Sequence, residues 1–218
     1  MSPTTLFRLS GLALLLALPL QLLGSALRGP GHDPGYLVNP AANVLLIGSW
    51  LLATFGLPAL YARQAARAGM LGLIGFVLMV LVAVASIDTF VFESFAAPVI
   101  AQQAAALPLV AENGRLAHGA LRGALVNLPL LTLGVLLFGI ATVRARVLPR
   151  WTGLLPIAGI VALYAGIPLM GVPLPVSALQ VCYGLMFLGY ARGGYALWTL
   201  PEPAGATSVR TVVAQPAT

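Results

Sequence analysis

The sequence predicts an all-α fold, a polytopic transmembrane helical bundle of about six spans with both termini cytoplasmic. Three observations predict it. The composition is 60% apolar and only 7% charged, against roughly 25% charged residues in an ordinary soluble domain. Apolar runs of about 20 residues, the length that crosses a hydrocarbon core of about 30 Å, recur between Pro/Gly-rich or polar breaks. The arginines gather at alternate breaks, as the positive-inside rule requires of a chain that crosses repeatedly. The same composition, with a mean hydropathy of +0.99, excludes a soluble globule and a disordered chain. A single cysteine, Cys182, excludes a disulfide scaffold.

The first run, about 5–26, has a rival reading as a cleaved signal peptide, because Arg8 precedes an apolar core that ends in Gly24, Ser25 and Ala26. Its near-full span length favours retention. The second run is about 43–61, the third 71–92, the fourth 121–143, the fifth 151–170 and the sixth 175–195. Backbone in hydrocarbon must satisfy its own polar groups, so each run is a helix. The breaker-rich segment 28–42 separates the first two runs. Segment 93–120, interrupted by Pro98, Gln102, Gln103, Pro108, Glu112 and Asn113, is too broken to span and reads as an outer surface segment. Residues 201–218 read as a disordered cytoplasmic tail.

With the N-terminus inside, eight arginines (8, 63, 67, 144, 146, 150, 192 and 210) fall on the cytoplasmic side and three (28, 115 and 122) on the other. Trp151 and Trp198 lie at cytoplasmic span ends, where indoles favour the interface. The turns at 61–69 and 144–151 carry Arg63 with Arg67 and Arg146 with Arg150. Each pair is four apart, so in a helix each shares a face and can meet anionic lipid headgroups; the plainer reading is that they only set orientation. A net charge of +6 without a basic stripe predicts no nucleic-acid partner. All eleven basic residues are arginine in an Ala-, Gly-, Pro- and Leu-rich chain, which points to a GC-rich bacterial genome and hence to the bacterial inner membrane.

Polar groups inside spans are costly, so each is a candidate. At about 1.5 Å per residue, Asp88 lies roughly 26 Å from the cytoplasmic end of its span and Gln21 about 24 Å from Thr5; Asn127 and Gln180 lie about 8–9 Å below the outer ends of theirs. These four predict an outward-facing polar pocket above an apolar cytoplasmic floor. Arg122 at its mouth is the natural ion partner of Asp88, and Asn43, Glu93 and His118 stand nearby. The plain alternative makes Asp88 and Glu93 interfacial and the amides interhelical glue. Ala158, Ala162 and Gly166 in the fifth run, and Gly189 with Gly193 in the sixth, supply small-residue helix contacts.

No zincin, Walker or nucleophile-elbow motif occurs, and no span holds a histidine for haem. His32 and His118 lack the spacing of a metal site, so no metal or cofactor is expected. Segments 56–76, 92–101 and 144–155 resemble uncharacterised multi-span membrane proteins of bacteria with GC-rich genomes, a resemblance that implies the topology and transfers no functional residue.

The leading expectation is a non-enzymatic membrane protein that binds a lipid or small amphiphile through Gln21, Asp88, Arg122, Asn127 and Gln180. A small transporter coupled to protonation of Asp88 is the alternative. An enzyme on a lipid substrate, using Asp88, Glu93 and His118, is the third. Membrane lipids are the expected partners, and a second copy or a partner membrane protein stays open.

Overall fold

The computed structural model describes residues 3–28, 39–96, 99–100, 102, 115–166 and 178–199, and of Pro3 and 115–126 the backbone alone. Every element is helical: α1 (Pro3–Arg28), α2 (Pro40–Val91) with a π-helical continuation (Phe92–Ala96), α3 (Arg115–Ala145), α4 (Trp151–Gly166) and α5 (Ala178–Thr199). Three helices are long and apolar enough to cross a membrane, Thr4–Arg28, Pro40–Ala96 and Asn127–Ala145, while Trp151–Gly166 is apolar but shorter. The outer surface matches that reading. Leu6, Phe55, Met70 and Val161 are each more than half exposed, and many other large apolar side chains join them. Such a surface in water would be an aggregation liability, whereas hydrocarbon solvates it.

α2 begins on a cap set by its sequence. The Asn39 side chain accepts a hydrogen bond from the Ala41 amide at 3.0 Å, and Pro40 takes the first-turn place where a missing N–H is harmless. The helix then doubles back at Gly69, whose φ of 57° and ψ of −160° belong to a region almost confined to glycine. The reversal is explicit in the ring pair Tyr61 and Phe76, stacked with centroids 4.9 Å apart. Fifteen residues of straight helix would separate them by about 22 Å. The turn expected at 61–69 is therefore compressed into one residue. Helix continues through Ala68, so Arg63 and Arg67 ride on the last two turns of the first arm.

The connection between α3 and α4 departs from the expected pairing of Arg146 with Arg150 on a helix face. Arg146 adopts a left-handed φ of 53° and residues 146–150 are non-helical, so the two do not share such a face. The start of α3 also differs: helix begins at Arg115, six residues before the expected span, and takes the end of the supposed surface segment into the rod. Most of segment 93–120 and all of the tail 201–218 lie outside the described residues.

Neighbouring rods follow one another around the bundle: α1 against the first arm of α2, the second arm against α3, α3 against α4, α4 against α5, and α5 back against α1. Close crossings on glycine hold it. Gly11 and Gly194 face each other so tightly that a Cβ on Gly11 would lie 2.5 Å from the Gly194 carbonyl oxygen, and one on Gly194 2.6 Å from that of Gly11. Gly189 and Gly193 meet Pro156 and Thr152 of α4, as the Gly-x-x-x-Gly spacing predicts. In α4 itself the inward stripe is Gly153, Pro156, Gly159, Ile160 and Leu163, whereas Ala158 is exposed and does not serve the contact expected of it. The centre is filled by Trp50, Leu57, Leu60, Met79, Val82, Val135, Met186, Phe187 and Tyr190.

Candidate functional site

The polar side chains of the bundle collect in three places. The first is a charged cap at the end where α1 stops, α2 starts and the second arm of α2 finishes. Arg28 places its guanidinium against the Glu93 carboxylate in a two-pronged pair, Nη1 to Oε2 at 2.9 Å and Nη2 to Oε1 at 3.0 Å. Arg28 Nη1 also donates to Asn43 Oδ1 at 3.1 Å, and Asn43 Nδ2 donates to Glu93 Oε2 at 3.4 Å. The guanidinium lies 5.4 Å from the centre of the Phe90 ring. Both charged side chains are about three-quarters or more buried, where a bidentate pair with extra hydrogen bonds is needed to offset lost hydration.

Below the cap an amide and hydroxyl chain ties α1 to its neighbours. Ser49 Oγ donates to Gln21 Oε1 at 2.8 Å, Gln21 Nε2 donates to Ser25 Oγ at 3.2 Å, and Gln180 Nε2 donates to the Ser25 carbonyl at 2.9 Å. Gln21, Asn43 and Ser49 are essentially sealed from the surface. The structure thus brings together two of the predicted residues, Gln21 and Gln180, through Ser25. It does not bring Asp88 to them: Asp88 is exposed, on the side of the second arm away from the interior. The expected Asp88–Arg122 pair has its second side chain outside the described residues, and the ion pair among the described residues is Arg28 with Glu93.

Beside this chain lie three buried polar atoms with no partner: Trp50 Nε1, Ser86 Oγ and Asn127 Oδ1. They come from three rods at one depth. The second arm and α3 are registered by Gly134 against Met79, and two helical turns outward along both rods bring Ser86 opposite Asn127. The two arms of α2 run side by side from the Tyr61–Phe76 stack to the Asn43–Glu93 hydrogen bond. Eleven residues from that stack, Trp50 comes level with Ile87, next to Ser86. The Trp50 ring is held edge-on by Tyr183 at 5.7 Å and Phe187 at 5.2 Å, so its N–H has a fixed direction. Each unmade hydrogen bond on a buried group costs about 1–3 kcal/mol, so a polar group reaching this level would gain by meeting any of the three.

The third place lies toward the arginine-rich end. Gln64, which the sequence reading left in a turn, is 1% exposed and donates through Nε2 to Thr142 Oγ1 at 3.0 Å. Its Oε1 and the buried Thr152 hydroxyl have no partner, and neither has the Tyr190 hydroxyl in the core of α5. The floor expected to be apolar therefore carries a neutral polar node. Around it Arg8, Arg67, Arg144, Arg146, Arg150 and Arg192 are exposed and Arg63 is half-buried, while the described acidic residues, Asp88 and Glu93, sit at the opposite end. Cys182 is buried as a small apolar side chain, and among the described residues no three His, Cys, Asp or Glu side chains come together.

Sequence reasoning missed Arg28, Ser25, Ser49, Trp50, Ser86 and Gln64. Helical phase is the signal that finds Ser86: it continues the buried stripe Gly72, Gly75, Met79, Val82 and Ala83, with Glu93 two turns further on, whereas Asp88 is about 200° around the helix from Ser86. No family model matches the chain, and the search of curated proteins and that of solved structures likewise find no match.

Proposed function

We propose that this chain is a six-span protein of the bacterial inner membrane that binds the polar head of a lipid or small amphiphile in the outer half of its bundle. The six rods are α1, the two arms of α2, α3, α4 and α5. The observation that carries the binding reading is the level formed by Trp50 Nε1, Ser86 Oγ and Asn127 Oδ1, three polar atoms buried and unpartnered beneath the Arg28–Glu93 cap. An acyl chain would lie along the apolar surface or the seams between rods, and the head would meet the polar level. The exposed arginine end supports cytoplasmic placement of both termini, with Arg63, Arg67, Arg146 and Arg150 against anionic headgroups. The packing of Gly11 on Gly194 supports retention of the first span as part of the bundle. The resemblance to uncharacterised bacterial membrane proteins supports the location.

The transporter alternative rested on Asp88, which faces outward from the bundle; the inward carboxylate among the described residues is Glu93, which is held in the ion pair with Arg28. The test is native mass spectrometry of the full chain released from gentle detergent, wild type beside Trp50→Phe. A discrete co-purifying adduct that weakens in the variant is expected. A bare wild-type spectrum, or an adduct indifferent to the change, would overturn the reading.

A further inference from the structure

The three unpartnered atoms at the level of Trp50, Ser86 and Asn127 differ in kind, and the difference bears on the ligand. Trp50 Nε1 can only donate a hydrogen bond, Asn127 Oδ1 can only accept one, and Ser86 Oγ can do either. A carboxylate or phosphate accepts only, so it would need the Asn127 amide to turn its NH2 inward, and it would still bring its charge to a level that holds no counter-charge. An ammonium donates only, and would leave the indole N–H unmet. A hydroxyl group accepts from Trp50 and donates to Asn127 at once, with Ser86 free to join from either side.

The surroundings agree on charge. The inward faces at this depth carry Gln21, Ser49, Trp50, Ser86, Asn127 and Tyr183, all neutral. The nearest inward charges are Arg28 and Glu93, and they neutralise one another in the cap. Asp88 faces away. An ion entering this level would lose its hydration with no counter-charge to replace it. A neutral head exchanges one set of hydrogen bonds for another.

Building on the amphiphile-binding reading, we infer that the ligand is an uncharged, hydroxyl-bearing lipid, of the monoacylglycerol or long-chain isoprenoid alcohol class, held by donation from Trp50 and acceptance at Asn127. Charged phospholipids remain at the bundle surface.

The experiment uses the full chain in detergent with Trp151→Phe and Trp198→Phe, so that Trp50 is the sole indole. Monooleoylglycerol, oleate at pH 9 and oleoyl lysophosphatidate are titrated separately, with Trp50 emission and native mass spectrometry as readouts. The neutral lipid is expected to shift Trp50 emission to the red and to bind at least about tenfold more tightly than either anion. Asn127→Leu, nearly equal in volume, is expected to weaken it about tenfold or more. Ser86→Ala, a smaller change, serves if Asn127→Leu does not fold, and it is expected to weaken the neutral lipid by about threefold.

Equal or tighter binding of either anion to this level overturns the neutral-lipid inference and leaves amphiphile binding standing. Binding of the neutral lipid unchanged by both variants places it elsewhere and overturns the inference too. No binding of any of the three overturns both readings.

Discussion

Placing a methyl group where α1 crosses α5 measures how much of the bundle rests on backbone proximity. An ideal Cβ on Gly11 would stand 2.5 Å from the Gly194 carbonyl oxygen and 3.3 Å from Leu197 Cβ. A comfortable carbon-to-carbonyl contact is about 3.3 Å, so Gly11→Ala must push the rods apart by roughly 0.8 Å or bend one of them. Because the obstacle is backbone, no rotamer change relieves it. Overpacking of this kind costs about 1–3 kcal/mol, from which the better helix propensity of alanine recovers up to about 1 kcal/mol. Gly11→Ala is therefore expected to lose about 1–2 kcal/mol, and Gly194→Ala, at 2.6 Å from the Gly11 oxygen, about the same. The double variant should lose less than the two together, since rods already parted accept the second methyl more easily. Gly48→Ala is the control: its Cβ would meet only Leu20 Cδ1 at 3.5 Å, an ordinary contact, and the change should be neutral or slightly stabilising. Denaturant titration of the detergent-solubilised protein, read as a midpoint shift at constant slope, checks all four. Equal effects at Gly11 and Gly48, or strict additivity of the pair, would refute the reasoning.

Four further outcomes follow from the same geometry. Gly69→Ala puts a Cβ on a backbone with φ of 57° and ψ of −160°, so although nothing crowds the site it should cost about 1–3 kcal/mol in the same titration. Arg28→Gln and Glu93→Gln each strand a largely buried charge and should each destabilise by about 1–3 kcal/mol, while the double change recovers part of the loss; a double-mutant cycle with no coupling would remove the cap from the account. Thr142→Val takes the partner from the Gln64 amide and should cost about 1–3 kcal/mol, whereas Gln64→Leu removes both the bond and the unpartnered Oε1 and should cost less, a ranking that thermal unfolding reads directly. In a Cys182→Ala background, cysteines at Arg67 and Arg150 should react with an impermeant maleimide only from the cytoplasmic side of oriented vesicles, and labelling from the other side would reverse the topology.

The helical runs were legible because hydropathy averages over a whole span and tolerates errors of a turn. The reversal at 61–69 was legible too, since polar residues and a glycine interrupt the apolar pattern there. What averaging discards is angular phase. Asp88 drew attention as the carboxylate within the third run, yet two residues from Ser86 it faces the other way. Glu93, placed just beyond the span, falls back on the inward side and reaches Arg28, an arginine that the orientation count treated only as one of the minority. Gln64 looked like loop because Arg63 and Arg67 flank it. On the last two helical turns Arg67 is exposed and Arg63 half-buried, while the amide between them is buried. Pairings between distant rods, such as Gln180 with Ser25, leave no local trace in a single sequence.

The contact of α5 with α1 has a consequence for the order in which the bundle can be completed. Ser25 and Gln180 lie 155 residues apart, and the α1–α5 crossing joins two rods separated by all the others described. Contacts that distant carry the largest loop-closure cost and form late. Until α5 is in place, the side of α1 that it covers has only lipid or another protein to meet, with the Gly11 carbonyl side open. A nascent chain halted before residue 178 would therefore present an unfinished edge, open to mispairing with another chain.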